Sequence, residues 1–321
     1  MSNSSSSRKW ITSLLVLAIL VAVLYVLPFG SPLTTYALKA RSQKLLAYFI
    51  IAVGVSFSTV SFQTLTGNRF LTPSILGLEA VYVLLQTILY WLSWRLVGDL
   101  FLHPILECLI LIAVQSGFFF LLQPALKQLL NQGLHLILLI CMALGTMIRS
   151  LSTFIQVTMD PNEFDQLQSR LFPSFQRMNV SILGLGFGLI CFFALILWKK
   201  SAILDVLHLG TESATILGVE VVREERLLLW VIAMMVATIT ALVGPLSYLG
   251  FLVANLTYQL VKTYRHQELF VVASLLGFLI LVIGQFVIER ILGYRFNISM
   301  IIELIGGLLF FYLIFKEKKH L

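Results

Sequence analysis

The chain has 321 residues, of which 59% are hydrophobic and only 12% are charged, and its mean hydropathy is +0.96. A water-soluble domain carries about twice that fraction of charged residues, so the composition excludes an ordinary soluble enzyme and indicates a polytopic membrane protein. The net charge of +7 therefore bears on membrane topology rather than on nucleic-acid binding.

Apolar stretches recur along the whole chain, and a membrane-spanning helix needs about 20 such residues. We predict ten spans, at residues 10–27, 45–64, 74–94, 104–122, 134–157, 180–198, 227–243, 249–261, 270–288 and 297–315. Ten spans consume about 200 residues, which leaves short loops, including a polar one opening at residues 160–163. We therefore expect one all-α transmembrane domain over residues 1–321.

The distribution of basic residues predicts the orientation of these spans. Thirteen lysine and arginine residues fall in segments on the same side as the N-terminus, and eight fall in segments on the opposite side. Because cytoplasmic loops carry the excess of lysine and arginine, this asymmetry places both termini in the cytoplasm.

The connection between spans six and seven, residues 199–226, is the most charged part of the chain, with nine charged side chains. Residues 203–209 and 212–219 each have the length and apolar spacing of a short amphipathic helix. Gly210 separates them, and Thr211 is placed to cap the second. Two such helices could form a contact for another protein, or they could lie in the lipid headgroups as interfacial helices.

The residues of this segment resemble a known family. The chain reads Leu209-Gly210-x-Glu212-x-Ala214-x-x-Leu217-Gly218 across the predicted turn. This pattern resembles the cytoplasmic coupling segment of the FecCD-type permeases, which are subunits of bacterial ABC importers for iron–siderophores and cobalamin. The resemblance implies that these residues receive the push of an ATPase subunit, and it favours the protein-contact interpretation.

Further motifs extend the resemblance over nearly the whole chain. They are Gln63-x-Leu65-Thr66-x-Asn68 before the third span, Gly244-Pro245 with Gly250 before the eighth, and Gly306-Gly307 in the tenth. The family usually has proline at the position of Arg69, and proline and histidine at the positions of Ala254 and Asn255. The C-terminal Gly-x-Pro-x-Phe pattern of the family also lacks its proline here. That variant, together with residues 252–256, looks most like permeases for catecholate-type siderophores.

The resemblance implies the fold of a type II ABC importer permease in the bacterial cytoplasmic membrane. The implied function is passage of an iron–siderophore complex, driven by ATP hydrolysis in a separate chain. The implied partners are a second permease subunit, identical or paralogous, two ATPase subunits and an extracytoplasmic siderophore-binding protein.

The sequence carries no P-loop pattern and no histidine, cysteine or carboxylate spacing typical of a metal site, so we expect no catalytic residues, cofactor or bound metal. An ATP-independent secondary transporter or a membrane assembly factor remains the alternative. Secondary transporters usually place paired carboxylates in broken helices, and nothing in the sequence pairs those of this chain.

Three basic residues near predicted span ends match positions that the family uses to dock its binding protein. They are Arg41 and Lys44, before the second span, and Arg290, after the ninth. Basic residues at such positions also serve as ordinary interfacial anchors, so both interpretations stay open.

Two charged residues are predicted to lie at similar membrane depth. Arg149 lies about eight residues before the outer end of span five, and Glu303 lies about six residues into span ten, which puts both roughly 10 Å below the outer boundary. A buried charge is costly, so they could form an ion pair. Alternatively Arg149, with Thr153 one turn away, faces the translocation path and attracts an anionic substrate.

Overall fold

The structure, a computed structural model, describes residues 3–27, 35–96, 104–130, 134–173, 175, 180–293 and 296–318. Across these ranges the secondary structure is helical and contains no strand. The helices are α1 Asn3–Val26, α2 Thr35–Thr66, a 3-10 turn Pro73–Leu76, α3 Leu78–Leu96, α4 Pro104–Leu130, α5 Leu134–Val157, α6 Pro161–Leu171, α7 Val180–Lys199, α8 Ser201–Leu207, α9 Thr211–Ile216, α10 Val221–Val243, α11 Ser247–Leu260, α12 His266–Arg290 and α13 Ile298–Lys318.

Each of the ten predicted spans coincides with one of these helices, which confirms the all-α membrane class. Seven of the described helices, namely α1, α2, α4, α5, α7, α10 and α12, are long and apolar enough to cross a membrane. Helices α3 and α13 contribute shorter apolar stretches, Leu78–Leu92 and Ile298–Leu313. Helix α11 has 14 residues and rises only about 21 Å, so the count of ten complete spans stays a prediction.

Local differences from the sequence-based expectations have simple causes. The polar loop expected from residue 160 is instead α6, with Pro161 in its first turn, where a proline has no hydrogen bond to lose. The two short helices of residues 199–226 form, but Gly210 holds the N-cap position of α9 and Thr211 is its first residue. The expectation that Thr211 caps α9 was therefore wrong.

Helices α2, α10 and α12 form the centre of the bundle. Small residues let α2 and α12 approach closely: a methyl group added at Gly277 would lie 3.2 Å from the Cβ of Ala52. Further along the same interface, the rings of Phe57 and Phe270 stack with their centroids 4.2 Å apart. The most buried helices are thus joined by dispersion contacts that need close, specific packing.

Hydrogen bonds between polar side chains also join helices inside the bundle. The Thr240 hydroxyl on α10 donates to the Gln115 side-chain oxygen on α4 at 2.8 Å, and both residues are fully buried. At the periphery, α5 and α13 instead expose large apolar side chains such as Phe154 and Leu308. These exposed faces must be covered by lipid or by another protein.

Candidate functional site

Helices α8 and α9 form a small module that projects from one end of the bundle. The chain turns between them at Gly210, whose φ is +102°, and leaves α9 at Gly218, whose φ is +83°. The Val219 N–H donates to the Ala214 carbonyl and the Gly218 N–H donates to the Thr215 carbonyl, each at 3.0 Å. This is a Schellman helix end, which favours glycine because other residues are strained at positive φ.

The module exposes apolar side chains next to a charge. Leu209 and Leu217 are each 62% exposed, and Ile216 is 86% exposed, beside the exposed Glu212. An exposed apolar cluster of this kind is typical of a protein contact. We name Leu209, Glu212, Ile216 and Leu217 the module face.

The predicted coupling residues have different structural roles. Leu209, Glu212 and Leu217 lie on the module face, and Gly210 and Gly218 shape the two turns. Ala214 of α9 is fully buried and packs in the hydrophobic core, so its part in coupling stays a prediction. Ile216 was not predicted, although it follows Glu212 by four residues and therefore shares its side of α9.

Ionic contacts attach the module to the bundle. The Lys200 ammonium lies 2.7 Å from a Glu224 carboxylate oxygen, and Asp205 Oδ1 lies 2.6 Å from His266 Nδ1. Burial tends to raise the pKa of Asp205, but the hydrogen bonds from His266 outweigh it and leave the pKa below 3.8. The stability gained from this contact is therefore present above pH 3.8 and is lost as the pH falls through the folded pKa.

The two histidines at this end share one environment. Burial lowers the pKa of His208, and the charges of His266 and Arg69 lower it further, while Asp205 opposes them. The rings of His208 and His266 lie 6.2 Å apart. The Asp205 carboxylate thus interacts electrostatically with several basic side chains at this end.

Two departures from the family pattern meet at this end of the bundle. The Arg69 carbonyl accepts hydrogen bonds from the Gln63 side-chain amide at 2.7 Å and from the Asn255 side-chain amide at 3.1 Å. The Arg69 guanidinium also lies over the Tyr258 ring, 4.9 Å from its centroid. The unusual Arg69 and Asn255 therefore form one contact between the α2–α3 turn and α11.

At the opposite end of the molecule, the predicted docking residues Arg41 and Lys44 have internal partners. The Arg41 guanidinium donates to the carbonyls of Val26 and Leu27 at 3.0 and 2.9 Å, where α1 ends. The Lys44 ammonium lies 2.9 Å from Glu289 Oε1 on α12. Arg290 is exposed at the end of α12.

Between the two ends, the structure places Arg149, Thr153 and Glu303 on exposed faces of α5 and α13. Thr153 donates its hydroxyl hydrogen to the Arg149 carbonyl at 3.1 Å. Within the described residues no ion pair joins Arg149 to Glu303. Their pairing stays a prediction, as does the alternative in which Arg149 faces the path.

A third ionisable residue, which was not predicted as a site residue, lies near both of them. Glu79, at the start of α3, is buried and accepts a hydrogen bond from the Ser247 hydroxyl at the start of α11. Both Arg149 and Glu303 are near enough to interact electrostatically with Glu79. Helices α3, α5, α11 and α13 thus bring one arginine and two carboxylates together, which no spacing in the sequence indicated.

The comparisons with known proteins identify the family. The model of the FecCD transport family matches residues 9–316. The chain belongs to the FecCD transport family. As a member of this family, the chain is a multi-pass membrane protein and a transport subunit. ATP-independent transport is not favoured.

Two relatives of this FecCD chain show where it lies in the family. It is similar to the petrobactin import system permease protein YclO of Bacillus subtilis, with 36% identity over 284 residues, covering 88% of this chain and 90% of that one. It is also similar to the petrobactin import system permease protein FatC of Bacillus anthracis, with 32% identity over 326 residues, covering 99% and 91%.

A solved structure supports the fold independently. A metal-chelate type ABC transporter in an inward-facing conformation superposes with a TM-score of 0.81 at 23% identity, covering 97% of this chain and 99% of that one. This similarity confirms the predicted permease fold, and the family match over residues 9–316 confirms the predicted FecCD resemblance. The chain is a transport component and not an enzyme.

Proposed function

We propose that this chain is a permease subunit that carries a ferric siderophore of catecholate type across the cytoplasmic membrane. The observation that supports this most is its similarity to two petrobactin permeases over nearly its full length. We propose a single permease domain over residues 1–321, with both termini in the cytoplasm. Its partners would be a second permease subunit, two ATPases and an extracytoplasmic binding protein.

The module face is the proposed ATPase contact. Ile216 and Leu217 are among the most exposed apolar side chains of the molecule, although they lie on short helices rich in polar neighbours. Their burial in a groove of another chain would remove this apolar area from water. The alternative occupant, lipid headgroups, would need no ATPase.

The charged group of Glu79, Arg149 and Glu303 is the proposed membrane-depth part of the path. A charge exposed at this depth needs water, a substrate or a partner charge, because lipid tails cannot solvate it. Arg149, with Thr153 on the same face, would attract the anionic ferric complex, while Glu303 and Glu79 would limit how tightly it binds.

One experiment tests the substrate and the partners together. The chain is expressed with its second permease, ATPase and binding protein in cells lacking siderophore uptake, and uptake of ferric petrobactin, a ferric hydroxamate and ferric citrate is measured. We expect uptake of ferric petrobactin and co-purification of the ATPase. Uptake of only the hydroxamate or the citrate would contradict the substrate class, and loss of the ATPase in mild detergent would contradict the coupling role.

The two interpretations of Arg149 are separated by Arg149→Ala, Glu303→Ala and the exchange Arg149→Glu with Glu303→Arg. Pairing predicts two poorly folded single variants and a partial rescue in the exchange, because removing one partner leaves the other charge at membrane depth without a counter-charge. A role in the path predicts a folded Arg149→Ala that has lost uptake. Expression and uptake of the three variants decide between them.

A further inference from the structure

A chain of three polar side chains links the coupling module to the centre of the bundle. Asp205 on α8 accepts a hydrogen bond from the His266 backbone N–H at 2.8 Å, and its Oδ1 also lies 2.6 Å from His266 Nδ1. His266 Nε2 lies 2.7 Å from Thr64 Oγ1, near the end of α2. The link therefore joins α8 to the first residue of α12 and to the last turns of α2.

Both ring nitrogens of His266 lie within hydrogen-bond distance of an oxygen atom. Thr64 Oγ1 also lies 3.0 Å from the Val60 carbonyl, but a hydroxyl has only one hydrogen to donate. If Thr64 donates to Val60, His266 Nε2 must donate to Thr64, and the ring is then an imidazolium opposite the Asp205 carboxylate. If the ring is neutral, the Thr64 hydroxyl turns and donates to Nε2. The connection holds in both states.

His266 lies in a buried environment beside an aromatic ring. His266 is only 1% exposed, and its ring contacts the Phe270 ring at a centroid distance of 6.0 Å. Arg265, His208 and Arg69 are basic groups near this pair, and Asp205 is the carboxylate that contacts the His266 ring. Hydrogen bonds to a charged group are shorter and stronger than neutral ones, whereas apolar contacts allow sliding.

We propose that Asp205, His266 and Thr64 are positioning residues that transmit movement of the α8–α9 module to α2 and α12. This inference rests on the proposed function, in which the module face binds an ATPase. The link is separate from that face, because His266 is buried while Leu209, Ile216 and Leu217 are exposed. Docking and transmission are therefore carried by different side chains, and a variant can lose one without the other.

A second ionic contact of the module provides a matched control. Lys200 and Glu224 lie on either side of the α8–α9 module in sequence, and their carboxylate–ammonium distance of 2.7 Å is as short as the contacts of the link. That bond joins the start of α8 to α10 and reaches neither α2 nor α12. Lys200→Met should therefore loosen the attachment of the module to α10 without breaking its connection to α2 and α12.

The test uses the complete transporter, reconstituted in liposomes with its ATPase and binding protein, and ferric petrobactin as substrate. The variants are His266→Phe, which keeps a buried ring, His266→Gln, which keeps one donor and one acceptor, Thr64→Val, and the control Lys200→Met. Two quantities are measured: the ATPase concentration that gives half-maximal hydrolysis, and the number of ferric complexes transported per ATP hydrolysed.

We expect His266→Phe and Thr64→Val to bind the ATPase within about twofold of the wild type but to transport about tenfold fewer ferric complexes per ATP. His266→Gln should recover most of this loss, and Lys200→Met should show none of it. Rescue by glutamine would not occur if only the shape of the buried ring mattered.

Normal transport per ATP in His266→Phe and Thr64→Val would overturn the proposal. So would an equal loss in Lys200→Met, or a loss of coupling that merely follows weaker ATPase binding. If His266→Phe fails to fold, Thr64→Val decides, because it is nearly isosteric and leaves no charge unpaired. Failure of the wild type to bind the ATPase would instead contradict the proposed function.

Discussion

At both ends of the molecule, charged residues are held by partners within the chain. At the α8–α9 end, the apolar side chains of the module face are also exposed. At the α8–α9 end, Asp205 and Lys200 are held by internal partners, while Ile216 and Leu217 remain exposed. At the other end, Arg41 and Lys44 are likewise held internally, by the end of α1 and by Glu289. The sequence identified these basic residues, but it did not reveal their contacts within the chain, and their docking role stays a prediction.

The physical reason lies in the position of these charges near the membrane boundary. A partly buried charge loses solvation and recovers it only through close partners, so the bundle uses its available carboxylates and carbonyls first. The Glu289 carboxylate accepts three hydrogen bonds, from Tyr25, Lys44 and Gln285. These hydrogen bonds join α1, α2 and α12, so they stabilise the fold.

The largest effect should come from charging the module face. Ile216→Glu combined with Leu217→Glu removes two apolar side chains from the proposed contact, which costs about 4 kcal/mol, or about a thousandfold in ATPase affinity. Binding of the ATPase to the purified permease in detergent measures this. The matched control is Ile291→Glu, since Ile291 is 72% exposed at the other end. An equal loss in the control would remove the distinction between the two ends.

A smaller effect is expected from Gly218→Val, which places a β-branched residue at a φ of +83°. The strain costs about 1–3 kcal/mol and tilts α9, so transport should fall by at least about tenfold while the chain still inserts. Gly218→Asn is the control, because asparagine tolerates this conformation. Normal transport and normal ATPase stimulation in Gly218→Val would contradict the coupling role of this turn.

Lys44→Met sharpens the comparison at the other end. It leaves the partly buried Glu289 without its ammonium partner, so the free energy of unfolding should fall by about 1–2 kcal/mol. Thermal unfolding of the permease measures the loss, and Lys39→Met, at an exposed lysine, should show none. Unchanged thermal stability together with a lower affinity for the binding protein would instead make Lys44 a docking residue.

The smallest effect concerns Arg290, the one predicted docking residue that is exposed on the surface. Arg290→Glu should weaken binding-protein association by about 1 kcal/mol or less, about fivefold at most, and more at low salt because screening is then weaker. Titration at two salt concentrations tests this, with Arg290→Lys as the charge-preserving control. Identical binding at low salt would remove Arg290 from the docking surface.

Much of the fold followed from composition and local pattern. Apolar runs of spanning length located the helices, and the glycines at 210 and 218 located both turns of the module. Helix α6 was missed because polar residues around Pro161 suggested a loop, although aspartate followed by proline also marks a helix start. Helical periodicity could have identified Ile216 as a face residue, since it lies one turn after Glu212.

The sequence by itself determined the class of the protein, the position of its helices and its family, because these depend on the local balance of apolar and polar residues and on short motifs. Only the tertiary structure decided which charges are paired within the chain. Lys44 with Glu289, Asp205 with His266, and Glu79 with Ser247 are each separated by at least 61 residues. Such contacts depend on how distant helices pack, and no spacing along the chain encodes them.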